Sequence, residues 1–319
     1  QTTVPVGARG RIKKMSVPKR EMRAVWIATV NNIDWPSKPG LTADQQQAEV
    51  RNILDYSKYI GMNAVIMQVR PCADAFYPSA SEPWSKYLMG AQGNAPQPFY
   101  DPLEYFISEC HKRGMEFHAW FNPFRVRQNM NDQLTGENVF TQHPDWGWVY
   151  GGREYLDPGH PEVREYLLKV VSEVVSKYDI DAVHLDDYFY PYKAEGSGIP
   201  DQETFRKYSG GISPDRITDW RRNNVNLIIS RLSRSIKELK PWVKFGISPF
   251  GVWRNASADP EGSATKAGTT NYDDLYADVI RWQREGWIDY LMPQLYWEIG
   301  HSSADFKTLA AWWAGHGYG

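Results

Sequence analysis

The 319-residue chain has no run of about 18 apolar residues, so no segment of it is expected to cross a membrane. It opens QTTVPVGARG without the apolar core of a signal peptide, and is therefore either cytoplasmic or has lost its signal. Its two cysteines, Cys72 and Cys110, make neither a CxxC pair nor a metal-ligand spacing. A formal net charge of -2 leaves no basic footprint for nucleic acid, and the run RGRIKK with Lys19, Arg20 and Arg23 reads as a solvated leader, extended over residues 1–20. A GxSxG elbow, a Walker loop and a glycine-rich fingerprint after the first strand are all missing, so esterase, kinase and dinucleotide-binding readings fall away.

What remains is a globular balance, 42% hydrophobic and 23% charged, with 14 Trp, 19 Tyr and 12 Phe. Such rings fill cores, and they also stack on the apolar faces of sugars. Apolar, β-branched runs at residues 23–30, 63–70, 115–124, 181–191, 243–251 and 288–297 alternate with segments of helical periodicity. Parallel strands joined by helices follow, and a (β/α)8 TIM barrel over residues 21–319 fits better than a doubly wound sheet. Six such units precede the end at WWAGHGYG, so the expectation is either an incomplete barrel, stopping before strands seven and eight, or one closed unusually. Loops after strands are long and rich in Trp, Tyr, Pro and Asn, whereas returns such as KRGM are short. In a barrel the long set builds a cleft at the C-terminal face.

Residues two apart on a strand share a face. That rule gathers Gln68 with Arg70; His118, Trp120 and Asn122; His184, Asp186 and Tyr188; and Gln294, Tyr296 and Glu298. Polar groups in buried strands are costly unless paired, so such sets either line a site or form a satisfied network. Asp186 would project into the cleft with His184 below it, or the two would form a buried hydrogen-bonded pair; Asp187 would point to the opposite face. Glu298 is the candidate second carboxylate, because a retaining glycosidase needs two carboxyl groups about 5–5.5 Å apart. A catalytic metal is the competing account, with His118, His184 and Asp186 as its ligands, although HxH and HExxH patterns are absent. Asp34, Asp74 and Asp157 lie in loops and suit turns or caps.

The segments REMRAVWIATV, NIDWP, GMNAVIMQVRPCADAFYPS, GMEFHAWFNPFR, YLDPGHPEVREY, HLDDYFYP and LMPQLYW, in this order, resemble the glycosyl-hydrolase-like family 10 of bacteria. The resemblance implies a barrel related to glycoside hydrolases, secreted or lipoprotein members, activity on cell-wall glycan, and a site at the aspartate pair, here Asp186 and Asp187. The expected protein is a secreted, periplasmic or envelope-associated glycoside hydrolase acting on peptidoglycan strands or a related polysaccharide, with no cofactor, metal or nucleic-acid partner. In a retaining mechanism Glu298 would protonate the leaving oxygen while Asp186 attacks the anomeric carbon. Trp35, Trp84, Trp120, Tyr188 and Trp297 would stack on sugars or wall the cleft. Arg70, Asn122 and Gln294 would hold hydroxyl or acetamido groups, with Gln68, His118, His184 and Tyr296 beside them. A glycan-binding barrel without catalysis and a metal-dependent hydrolase or deacetylase are the alternatives.

Overall fold

The computed structural model describes residues 21–317, so the leader expected over residues 1–20 lies outside the described residues. Along the chain come β1 (Ala24–Ile27), α1 (Ala43–Tyr59), β2 (Ala64–Arg70), α2 (Lys86–Met89), α3 (Pro102–Lys112) and β3 (Glu116–Phe121). Next are β4 (Arg125–Arg127), α4 (Val139–Gln142), β5 (Gly147–Tyr150), β6 (Arg153–Leu156), α5 (Pro161–Lys177) and β7 (Ala182–Leu185). The remainder is α6 (Gln202–Tyr208), α7 (Ile217–Leu239), β8 (Lys244–Ile247), α8 (Val279–Arg284), β9 (Tyr290–Leu291) and α9 (Phe306–Gly315).

Local chemistry accounts for the helix starts. Thr42 and Gln45 form a reciprocal capping box at α1, the Gln45 N–H donating to Thr42 Oγ1 at 3.3 Å and the Thr42 N–H to Gln45 Oε1 at 3.0 Å. Asp101 accepts the N–H groups of Leu103 and Glu104, and Pro102 occupies the first turn of α3, where its missing N–H costs nothing.

Six parallel strands form one curled sheet in the order β1-β2-β3-β7-β8-β9. Every residue of β2 is buried, as expected for a parallel strand covered on both faces. On the outer face Val65, Met67, Phe117, Val183 and Phe245 join a continuous core with Val50, Leu54, Phe106, Val170 and Ile229 of the helices. The paired register stacks Gln68, Trp120, His184, Gly246 and Tyr290 across the sheet, with His118 one step nearer the strand starts.

The six expected parallel strands are present and form a half-barrel, not a full (β/α)8 barrel: among the described residues β1 and β9 are edge strands and do not pair with each other. The strand expected over 288–297 shrinks to Tyr290–Leu291, with one further bridge between Phe250 and Gln294. Ahead of the last strand, the segment of helical periodicity is helical only over α8. Asp274 accepts the Thr270 N–H and hydroxyl in a turn, and Tyr276 at φ 55° breaks the helical path. A second sheet of antiparallel strands, β4-β6-β5, fills the loop after β3, where the sequence suggested irregular chain. Its hairpin turns on Gly151 and Gly152, both at positive φ, which two-residue connections of this kind require.

Candidate active site

β7 ends at Leu185, and the next two residues are Asp186 and Asp187. Alternation no longer governs beyond the strand, and both carboxylates reach the same cavity instead of opposite faces. The expectation that Asp187 points away is therefore corrected. The cavity holds about 320 Å³ and opens at the C-terminal ends of the parallel strands. Gln68, Trp120, Arg125, Tyr188, Ser248 and Gln294 are among the residues around the pair.

Asp186 is buried and its hydrogen bonds all arrive from N–H groups. Trp120 Nε1 and Asn122 Nδ2 donate to Oδ2 at 3.0 and 3.1 Å, and the Tyr188 N–H donates to Oδ1 at 3.2 Å. Burial pushes its carboxyl up to about 6, and the Asp187 charge adds to the rise against Arg125 and the Trp120 donor. Asp187 is also buried and raised, by burial first; the Tyr192 hydroxyl and Gln294 donate to it and oppose the shift. Arg125 lies over the Tyr188 ring at 4.9 Å, which holds both at the rim of the pair. Two coupled carboxyls with raised affinities for protons share protonation as a unit.

The other anticipated residues divide sharply. Gln68, Trp120, Tyr188, Gln294 and Tyr296 line the cavity, and Tyr296 is 81% exposed at its mouth. Gln68 is fully buried; its Oε1 accepts the Thr29 and Val30 N–H groups, while its Nε2 has no partner among the described residues. That leaves an open donor on the cavity wall. Asn122 does not line the cavity but orients Asp186 and, through Oδ1, accepts the Arg125 N–H.

Five positions are placed elsewhere. Glu298 is exposed and outside the cavity lining; its carbonyl accepts the His301 and Phe306 N–H groups, and its carboxylate is not brought to Asp186. The chain has already left β9 and turned outward there. Arg70 is fully buried, its guanidinium on Glu82 and on the Asn122 and Pro123 carbonyls, so it braces the loop that carries Asn122. Trp35 is completely enclosed against Phe76 and Phe106, with Nε1 donating to the Gln46 carbonyl. Trp297 packs edge-on to Phe250 and over Gly251, outside the cavity lining. Trp84 meets Phe99 edge-on, also outside it.

His118 and His184 lie beneath the cavity. His184 makes no hydrogen bond to Asp186; its ring nitrogens meet Tyr290 Oη at 3.0 Å and Ser248 Oγ at 2.9 Å. Burial, and His118 beside it, lower its pKa to about 3. Among the described residues no three His, Cys, Asp or Glu side chains are grouped to hold a metal ion. Asp34 and Asp157 accept N–H groups of their own loops, from Ala28 and Gly159, while Asp74 accepts the Cys72 N–H.

Sequence reasoning missed Arg125, Ser248, Arg153, Gln128 and Trp26 in the cavity wall. Ser248 was within reach of the two-residue rule, since it follows Gly246 by two at the end of β8. Arg153 and Gln128 carry no such signal, because the antiparallel sheet that delivers them is not announced by periodicity.

The sequence profile described as Glycosyl hydrolase-like 10 matches residues 21–317. Glycosyl hydrolase YngK of Bacillus subtilis (strain 168) is 55% identical over 297 residues, covering 92% of this chain and 58% of that protein. Glycosyl hydrolase DigH of Escherichia coli (strain K12) is 44% identical over 310 residues, covering 92% of this chain and 69% of that protein. The chain thus spans little more than half the length of the first relative and about two thirds of the second. Among solved structures, the PgaB (BpsB) glycoside hydrolase domain from Bordetella bronchiseptica shares the fold, with a TM-score of 0.56 at 12% identity over 92% of this chain and 81% of that one. From the profile match and the two sequence relatives, the chain belongs to the glycosyl hydrolase-like 10 family.

Proposed function

We propose that this protein hydrolyses glycosidic bonds of a bacterial cell-wall glycan laid across the C-terminal edge of the half-barrel, with Asp186 and Asp187 as the catalytic carboxyls. The observation that carries the reading is that two adjacent, buried carboxyls with raised proton affinity face one cavity walled by Trp120, Tyr188 and Tyr296. Perturbed carboxyl pairs in clefts are the equipment of glycoside hydrolysis.

The hydrogen bonds divide the roles. Three N–H donors converge on Asp186, and none of them can accept a proton back, which favours the Asp186 anion. Asp187 has a hydroxyl partner in Tyr192, which can accept as well as donate. Asp187 therefore protonates the departing glycosidic oxygen while Asp186 attacks the anomeric carbon, forming a glycosyl ester; water then attacks that carbon, gives its proton to Asp187 and frees Asp186. Glu298 has no part in this scheme. Gln68 Nε2 is the open donor for a sugar hydroxyl or acetamido oxygen, and Tyr296 and Trp120 offer rings to sugar faces. Such a substrate places the enzyme outside the cytoplasm, as a secreted or envelope-associated protein.

Product release from peptide-free peptidoglycan strands tests the reading, with the parent protein compared with Asp186→Asn. Cleavage by the parent and loss in the variant supports it. A folded parent that binds the strands and releases nothing leaves a glycan-binding protein.

A further inference from the structure

We propose that Ser248 meets the bound glycan as a hydrogen-bond acceptor, and that a relay through His184, Tyr290 and His118 fixes this polarity from Glu116 at the opposite end of the sheet. The inference rests on the glycan reading for its ligand, while the relay itself stands on geometry.

Four contacts make a continuous line along the inner face of the sheet. Glu116 Oε2 lies 3.0 Å from His118 Nε2, and His118 Nδ1 lies 2.8 Å from Tyr290 Oη. Tyr290 Oη is 3.0 Å from His184 Nδ1, and His184 Nε2 is 2.9 Å from Ser248 Oγ, which lines the cavity. The line begins at the N-terminal end of β3, where Glu116 also pairs with Lys244. The site is made for Tyr290 by a glycine: a Cβ at Gly246 would lie 1.9–2.3 Å from Tyr290 ring atoms, so no side chain fits there while the phenol reaches both histidines.

Counting hydrogens gives the line a direction. The Glu116 carboxyl, drawn down to about 2 by the His118 hydrogen bond and by Lys244 against its partial burial, is an anion and can only accept. With His118 carrying one hydrogen, that hydrogen sits on Nε2 toward the Glu116 anion, and Nδ1 accepts the Tyr290 O–H. Tyr290, whose pKa burial and the Glu116 and Asp289 charges raise, stays a phenol with a single hydrogen. Its oxygen must then accept from His184 Nδ1–H. The neutral His184 ring has only Nε2 left to accept, and it takes the Ser248 O–H. Ser248 has spent its hydrogen inward and presents lone pairs to the cavity, suited to a sugar O–H or acetamido N–H. A second hydrogen on His118 would reverse every bond and make Ser248 a donor.

The experiment is long-range 1H–15N spectroscopy of the histidine-labelled protein, together with binding of peptide-free peptidoglycan strands. The expected spectra show His118 as the Nε2–H form and His184 as the Nδ1–H form. His184 as the Nε2–H form, or His118 carrying two hydrogens, overturns the relay. Ser248→Ala should weaken strand binding about three- to tenfold, the range of one neutral hydrogen bond. Glu116→Gln, whose amide can donate to His118, should mix the His184 forms and weaken binding although it lies at the far end of the sheet. Unchanged binding and an unchanged His184 form in that variant overturn the proposal. Failure of every form to bind strands removes the glycan reading and the ligand of Ser248, and the spectra then report on the relay alone.

Discussion

Two levels of the same inner sheet face carry polar residues and treat them in opposite ways. In the lower level, His118, His184 and Tyr290 satisfy one another. One step higher, past the last residue of β7, Asp186 and Asp187 share a cavity and are both pushed toward their protonated forms. Alternation delivers polar side chains to both levels. Whether they serve architecture or chemistry depends on pairing: a buried group with its partners is stable and inert, whereas a buried pair of like charges is poised to exchange a proton.

That contrast breaks most visibly in rate. Asp187→Asn should lower glycan-strand cleavage by at least the factor of roughly 100 to 10,000 attributed to a general acid, with the fold intact by circular dichroism. Arg70→Ala, which breaks a satisfied buried ion pair, should act on stability instead: leaving Glu82 charged and unpaired costs about 3–5 kcal/mol, read as a lower urea midpoint.

The pH dependence sharpens the comparison. Cleavage should fall as pH drops through about 6, where the Asp186 nucleophile takes up a proton, and fall again at higher pH as Asp187 loses the proton it donates. The same shift acts on stability. Asp186 titrates near 6 when folded, against about 3.9 for an unfolded aspartate, so the unfolded chain ionises first. Its contribution is then most favourable below about pH 4, declines between pH 4 and 6 and stays unfavourable above. The effect of Asp186→Asn on stability should therefore be more favourable at pH 8 than at pH 4, by about 2 kcal/mol, as measured by denaturant unfolding at the two values.

Much of this was legible in the residues. The strand–helix alternation located all six parallel strands, and Thr42 and Asp101 announced their helices through capping chemistry that needs no tertiary context. Two-residue periodicity singled out Asp186, Trp120 and Asn122, though not the hydrogen bonds that join them. The same rule misled at Asp187, because it was carried one residue beyond the strand, and at Glu298, because β9 is only two residues long and the chain turns outward before it. It could not tell Trp35 in the core from Trp120 in the cavity, since an indole suits either place. Arg125 and Arg153 come from the small antiparallel sheet, whose pairing is a tertiary fact.

The most direct test of the adjacent-pair account is the rate of peptide-free glycan-strand cleavage by Asp187→Asn and Glu298→Gln side by side with the parent. The account predicts loss of activity in Asp187→Asn and a rate within about twofold of the parent in Glu298→Gln, as for a surface charge away from the reacting bond. Retained activity in Asp187→Asn, with loss in Glu298→Gln, would contradict it.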